Sequence, residues 1–121
     1  MDLHLAMVFA KDLPRMTAFY RDGVGLTLVA DRSTADWSEF QAGGALFALH
    51  AIPPAIARDI EITDPPRARG DGALKLVFRV DDLAAARAHL AAHGAVMFEP
   101  WSPRACDGLD PEGNVFQIVQ R

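Results

Sequence analysis

Four histidines, a single cysteine and the run Asp110-Pro111-Glu112-Gly113-Asn114 are the first places to look for chemistry in this chain. His89 and His93 stand four residues apart, a spacing that sets two imidazoles on one helix face and suits a metal ion. The sequence there is His-Leu-Ala-Ala-His, without the glutamate that a His-Glu-x-x-His zinc site uses as its base. A solvated face near a helix C-terminus is the reading those two support. His4 opens an apolar alternating stretch and is expected to face outward, although a strand bulge or a register shift of one would turn it inward. Cys106 has no histidine or second cysteine near it in sequence, and a lone cysteine forms no internal disulfide. It reads as a small, partly buried filler rather than a reactive thiol, and fits a reducing compartment or one where disulfides are not needed, with the cytoplasm as the expected location. The Asp-Pro-Glu-Gly-Asn run is first of all good turn chemistry.

The elements that must position these residues belong to a short chain. It has 121 residues, 50% of them hydrophobic, which suits one domain with a real core. A formal charge of −4 with scattered Lys and Arg gives no basic field for phosphates, so nucleic acid is not an expected partner. Met1 to Ala10 is apolar but carries Asp2 and His4 and is too short to span a bilayer, so it reads as a strand and no membrane is expected.

Self-similarity is the strongest organising signal. Val8-Phe9-Ala10-Lys11-Asp12-Leu13 and Phe78-Arg79-Val80-Asp81-Asp82-Leu83 share an alternating apolar run followed by Asp-Leu, the aspartates lying 82 − 12 = 70 residues apart. Gly44 to Leu49 matches Gly113 to Ile118 at a separation of 69. In each half the pattern predicts a strand (3–10, 74–80), then a helix capped by Asp12 or Asp82, then three short strands. Those strands are expected at 26–31, 36–42 and 45–52, and again at 95–99, 103–108 and 114–120. Leu13, Met16, Phe19 and Tyr20 supply the first helix's apolar stripe, and Gly94 ends the second. The predicted fold is therefore α+β, two tandem βαβββ modules in a single domain. Module one is 1–52, a Pro-rich linker 53–72, and module two 73–121.

This duplication, the Phe19-Tyr20 pair followed by Gly25-Leu26, and Asp110 to Asn114 before the last strand together resemble the vicinal-oxygen-chelate superfamily. Its members include glyoxalases, bleomycin-resistance proteins and extradiol dioxygenases. The resemblance covers almost the whole chain. It implies curved sheets that enclose a small-molecule cavity, helices on the outer faces, and a homodimer. Strand alternation then sends Leu5, Met7, Phe9, Leu46, Ala48 and His50 inward from module one, and Lys75, Val77, Arg79, Val115, Gln117 and Val119 from module two. The resemblance also implies metal ligands on the first and last strands of each module, at Leu5, Ala48, Lys75 and Gln117. Leucine and alanine offer no lone pair, a lysine ammonium repels a cation and one glutamine does not hold one, so no metal and no cofactor is expected.

The expected ligand site comprises Leu5, Met7, Phe9, Trp37, Glu39, Ala48, His50, Lys75, Val77, Arg79 and Gln117. Its first half is apolar, while Lys75, Arg79 and Gln117 suit an anionic group. An amine at Lys75 buried among Leu5, Met7 and Val77 needs a carboxylate, and Glu39 is the expected one. Trp37, Trp101 and Phe98 lie near strand ends, where they suit stacking on a flat ligand or filling a core or interface. Three functions are open: a metal-free binding protein of the bleomycin-resistance type; a metal-dependent glyoxalase- or dioxygenase-type enzyme; and a metal-free lyase or isomerase using Lys75, Glu39 or His50. The first leads, with catalysis uncertain. The sequence names no ligand and leaves the dimer geometry open.

Overall fold

The computed structural model describes residues 1–121 and divides into two compact units, Met1–Glu61 and Ile62–Arg121. In the first unit the alternating opening stretch forms β1 (Ala6–Ala10), followed by α1 (Leu13–Ala18). β2 (Thr27–Leu28), β3 (Trp37–Ala42), β4 (Ala45–Ala51) and a short α2 (Pro54–Ala57) complete it. The sheet order is β1-β4-β3-β2, with β1 parallel to β4 and the other pairs antiparallel. Asp12 caps α1 by accepting from the Arg15 backbone N–H at 3.0 Å, and Pro14 stands in the first turn, where its missing N–H costs nothing.

Two local departures from the predicted pattern have physical reasons. The helix does not carry its stripe through Tyr20. It widens at Phe19–Gly23 into a π-helical turn, with the Val24 N–H bonded to the Phe19 carbonyl at 3.0 Å. Successive residues of a tight helix diverge around its axis, whereas Phe19 and Tyr20 here are both buried, and Tyr20 meets Phe47 at 4.7 Å between ring centroids. The strand expected at 26–31 is cut to two residues by a 3₁₀ turn at Ala30–Arg32. The Ser33 hydroxyl ties that turn down, donating to the Val29 carbonyl at 2.8 Å and accepting from the Glu39 N–H at 3.1 Å.

The second unit repeats the order. β5 (Leu76–Val80), α3 (Leu83–Ala92), β6 (Val96–Met97), β7 (Ala105–Leu109) and β8 (Val115–Gln120) build a sheet of order β5-β8-β7-β6. Asp82 caps α3 through the Ala85 N–H at 2.9 Å, and Gly94 leaves the helix at φ +101°, which a residue with a Cβ resists. The register reproduces the sequence offset: Ala6 pairs with Phe47 in the first sheet and Leu76 with Phe116 in the second. Each core lies on the helix side of its sheet. Phe40, Phe47 and Leu49 are buried with Leu13, Met16 and Tyr20 in unit one. Leu83, Leu90, Phe116 and Ile118 are buried in unit two. The stretch predicted as a linker, 53–72, contains α2 and the boundary between the units.

Candidate ligand-binding faces

Residues paired across strands share a sheet face, so the register decides which side chains stand together. In unit one, Met7 pairs with Ala48 and Ala48 with Glu39, while Phe9 pairs with His50 and His50 with Trp37. These two rows lie on the side away from the core. Phe9 is 52% exposed and Met7 40% exposed, whereas Ala48 and Glu39 are buried between their neighbours. Phe9 stacks on His50 at 5.7 Å and His50 meets the edge of Trp37 at 5.5 Å, a continuous row of three rings across three strands. Leu5 is half-buried just ahead of β1, and His4 is exposed beside it.

In unit two the corresponding rows are Val77–Gln117–Asp107 and Arg79–Val119–Ala105. Lys75, Val77 and Arg79 are exposed and Gln117 is half-buried. Trp101, outside the strands, is 63% exposed and directs its indole N–H to the Asp107 carboxylate at 3.4 Å.

Lys75 was expected to need a carboxylate, and within its own unit it has one in Asp107. Lys75 Nζ bonds Asp107 Oδ2 at 2.7 Å, and its side chain is 41% exposed rather than buried among apolar neighbours. Glu39 is held by Arg32 Nε at 2.7 Å, with the Trp37 indole N–H at 3.4 Å from its second oxygen. Each carboxylate thus sits beside a cation and a tryptophan of its own unit. Asp107 was open to inference, because alternation along β7 puts it on the same face as Gln117. Arg32 carried no signal, since only the 3₁₀ turn after β2 swings it back over β3.

Outside these faces, His89 and His93 are exposed on α3, and the His93 Nδ1 N–H donates to the His89 carbonyl at 2.8 Å. Cys106 is buried and donates to the Phe98 carbonyl at 2.9 Å. Asp110 is fully buried, and Oδ1 accepts from the Glu112 and Asn114 backbone N–H groups at 3.0 Å each and from Asn114 Nδ2 at 3.1 Å. That run therefore builds a turn.

The vicinal-oxygen-chelate architecture raises the question of a divalent ion at Leu5, Ala48, Lys75 and Gln117, and those residues do not fit one. Ala48 has no donor atom, the Lys75 ammonium is committed to Asp107, and Gln117 lies between Val77 and Asp107. Within neither unit do three His, Cys, Asp or Glu side chains converge on a common point.

Two four-stranded sheets, each built in the order βαβββ and backed by its own helix, define the vicinal-oxygen-chelate class. The chain belongs to the glyoxalase-like domain family, whose match runs over residues 5–119. Among solved structures, a glyoxalase/bleomycin resistance protein/dioxygenase family enzyme from Burkholderia phytofirmans is similar at TM-score 0.78 and 22% identity, over 99% of this chain and 98% of that one. A protein of unknown function from Agrobacterium tumefaciens is similar at TM-score 0.72 and 25% identity, over 100% and 94%. A fosfomycin resistance protein from Mesorhizobium loti is similar at TM-score 0.71 and 16% identity, over 99% and 92%. No curated protein matches the sequence. No helix is long and apolar enough to cross a membrane.

Proposed function

We propose that this protein binds a small organic molecule with an apolar or aromatic body and an anionic group, and that it does so without a catalytic metal. The observation that carries the reading is the ring row Phe9–His50–Trp37 on an open sheet face, flanked by exposed Met7. Rings aligned on an open sheet face, half-buried at Trp37 and His50 and exposed at Phe9, suit stacking against a flat ligand. Leu5, Ala48 and Glu39 border that row in unit one, and Val77, Arg79 and Gln117 offer mixed apolar and polar contacts in unit two. A homodimer in the cytoplasm completes the proposal.

The experiment is a thermal-shift and calorimetric screen of aromatic acids and antibiotics, run beside metal analysis of the purified protein. Stabilisation by a cavity-sized aromatic acid without bound metal is the expected result. Stoichiometric zinc, nickel, manganese or iron, lost together with function on changing His4 or His50, would instead establish a metal-dependent enzyme.

A further inference from the structure

Lys75 and Arg79 stand on the same open face of the second sheet, but their electrostatic situations differ. The Lys75 charge is matched by Asp107 at 2.7 Å. Arg79 is exposed and has no hydrogen-bond or ion-pair partner in the chain. Its row neighbours, Val119 and Ala105, are apolar. Three adjacent strands put Arg79 and Ala105 about 10 Å apart, a distance that one aromatic ring with one acid group bridges with help from the long arginine side chain. Trp101 borders the same face, its indole held toward Asp107 and most of its surface in solvent.

We propose that Arg79 takes the acidic group of a flat aromatic ligand whose ring lies against Trp101. Lys75 does not touch this ligand. Its role is to cancel the Asp107 charge, which would otherwise repel the acid from the Trp101 side. The inference rests on the small-molecule reading above and assigns the ligand's charged end to one residue. A planar guanidinium suits a carboxylate through two parallel N–H bonds, whereas an ammonium already committed to an aspartate has less to offer.

The chain has two tryptophans and Trp37 belongs to the ring row, so emission is read in the unaltered protein and in Trp101→Phe, and the difference between the two isolates the Trp101 signal. That Trp101 signal is followed during titration with 4-nitrobenzoate and with neutral 4-nitrobenzamide, whose nitro rings quench a stacked indole. Saturable quenching by both is expected, the acid binding about tenfold more tightly, as one charge-assisted bond pair allows. Arg79→Ala should erase the preference for the acid and leave the amide's affinity in place, with Arg79→Lys between the two. Lys75→Met should weaken the acid alone, and Lys75→Met with Asp107→Asn should restore it, because the double change removes both the cation and the repulsion. Circular dichroism confirms that each variant is folded.

Acid preference surviving in Arg79→Ala overturns the assignment, and so does a double variant as weak as Lys75→Met, since Lys75 would then hold the ligand directly. Aromatic acids that stabilise the wild-type protein without quenching Trp101 also overturn it while leaving the proposed function standing. No stabilisation by any ligand in the screen removes the proposed function itself.

Discussion

Cys106 illustrates how far burial alone sets a side chain's chemistry. It has no exposed surface, and desolvation pushes its thiol above the ordinary range, with Arg87 pulling more weakly the other way. The folded state therefore holds that proton more tightly than the unfolded chain does. Stability from this source is fully present below the unfolded thiol value of about 8.5 and is lost as pH rises through it toward the raised folded value. Urea unfolding between about pH 7 and about pH 10 should show that decline, and Cys106→Ala should flatten it. Alkylation by iodoacetamide in native buffer should be slow until denaturant is added, and rapid native labelling would contradict the buried assignment. Asp110 is the second residue whose role is decided by burial. Asp110→Ala leaves the Glu112 and Asn114 N–H groups without their acceptor, and a loss of about 2–4 kcal/mol in chemical denaturation is expected.

At the scale of the element, strand parity separates residues that hold the fold from residues that face a ligand. Phe47 and Phe9 are both strand phenylalanines in one sheet, yet Phe47 is 3% exposed on the helix side and Phe9 is 52% exposed on the other. Phe47→Ala should cost about 3–5 kcal/mol of stability. Phe9→Ala should cost under about 1 kcal/mol, as expected for a half-exposed side chain, while weakening ligand affinity in calorimetry. Equal destabilisation of the two would show that the open face is not free. The turn before β8 gives a second test. Gly113 has φ +84°, and an added Cβ would run into the Arg67 carbonyl, a backbone atom that has little room to move. Gly113→Ala should therefore lower the melting temperature by several degrees, on the order of the shift expected for 1–2 kcal/mol in a domain of this size.

For the whole molecule, each unit leaves large apolar side chains in solvent: Met7 and Phe9 in the first, Val77, Phe98 and Trp101 in the second. The proposed homodimer should appear in sedimentation equilibrium as a concentration-dependent mass, and a strictly monomeric species at every concentration would count against it. A dimer that dissociates on dilution should also show a melting temperature that falls with protein concentration.

The linear sequence determined the repeat, the strand faces and the helix caps, because each depends on periodicities of two and 3.6 residues or on a single cap residue. The 70-residue offset between Asp12 and Asp82 already contained the pairing that sets Ala6 beside Phe47 and Leu76 beside Phe116. Alternation likewise put Met7, Phe9 and His50 on one face before any strand was paired. The tertiary structure alone decided which charge meets which. Lys75 pairs with Asp107 and Glu39 with Arg32, because ion pairing depends on strand register and on a 3₁₀ turn that brings back a residue seven positions away. It also decided that α1 widens at Phe19, where burying two consecutive aromatic rings outweighs the regular helical turn. Spacing along a chain records the direction of a side chain from its own backbone; the partner it finds there is a property of the packed elements.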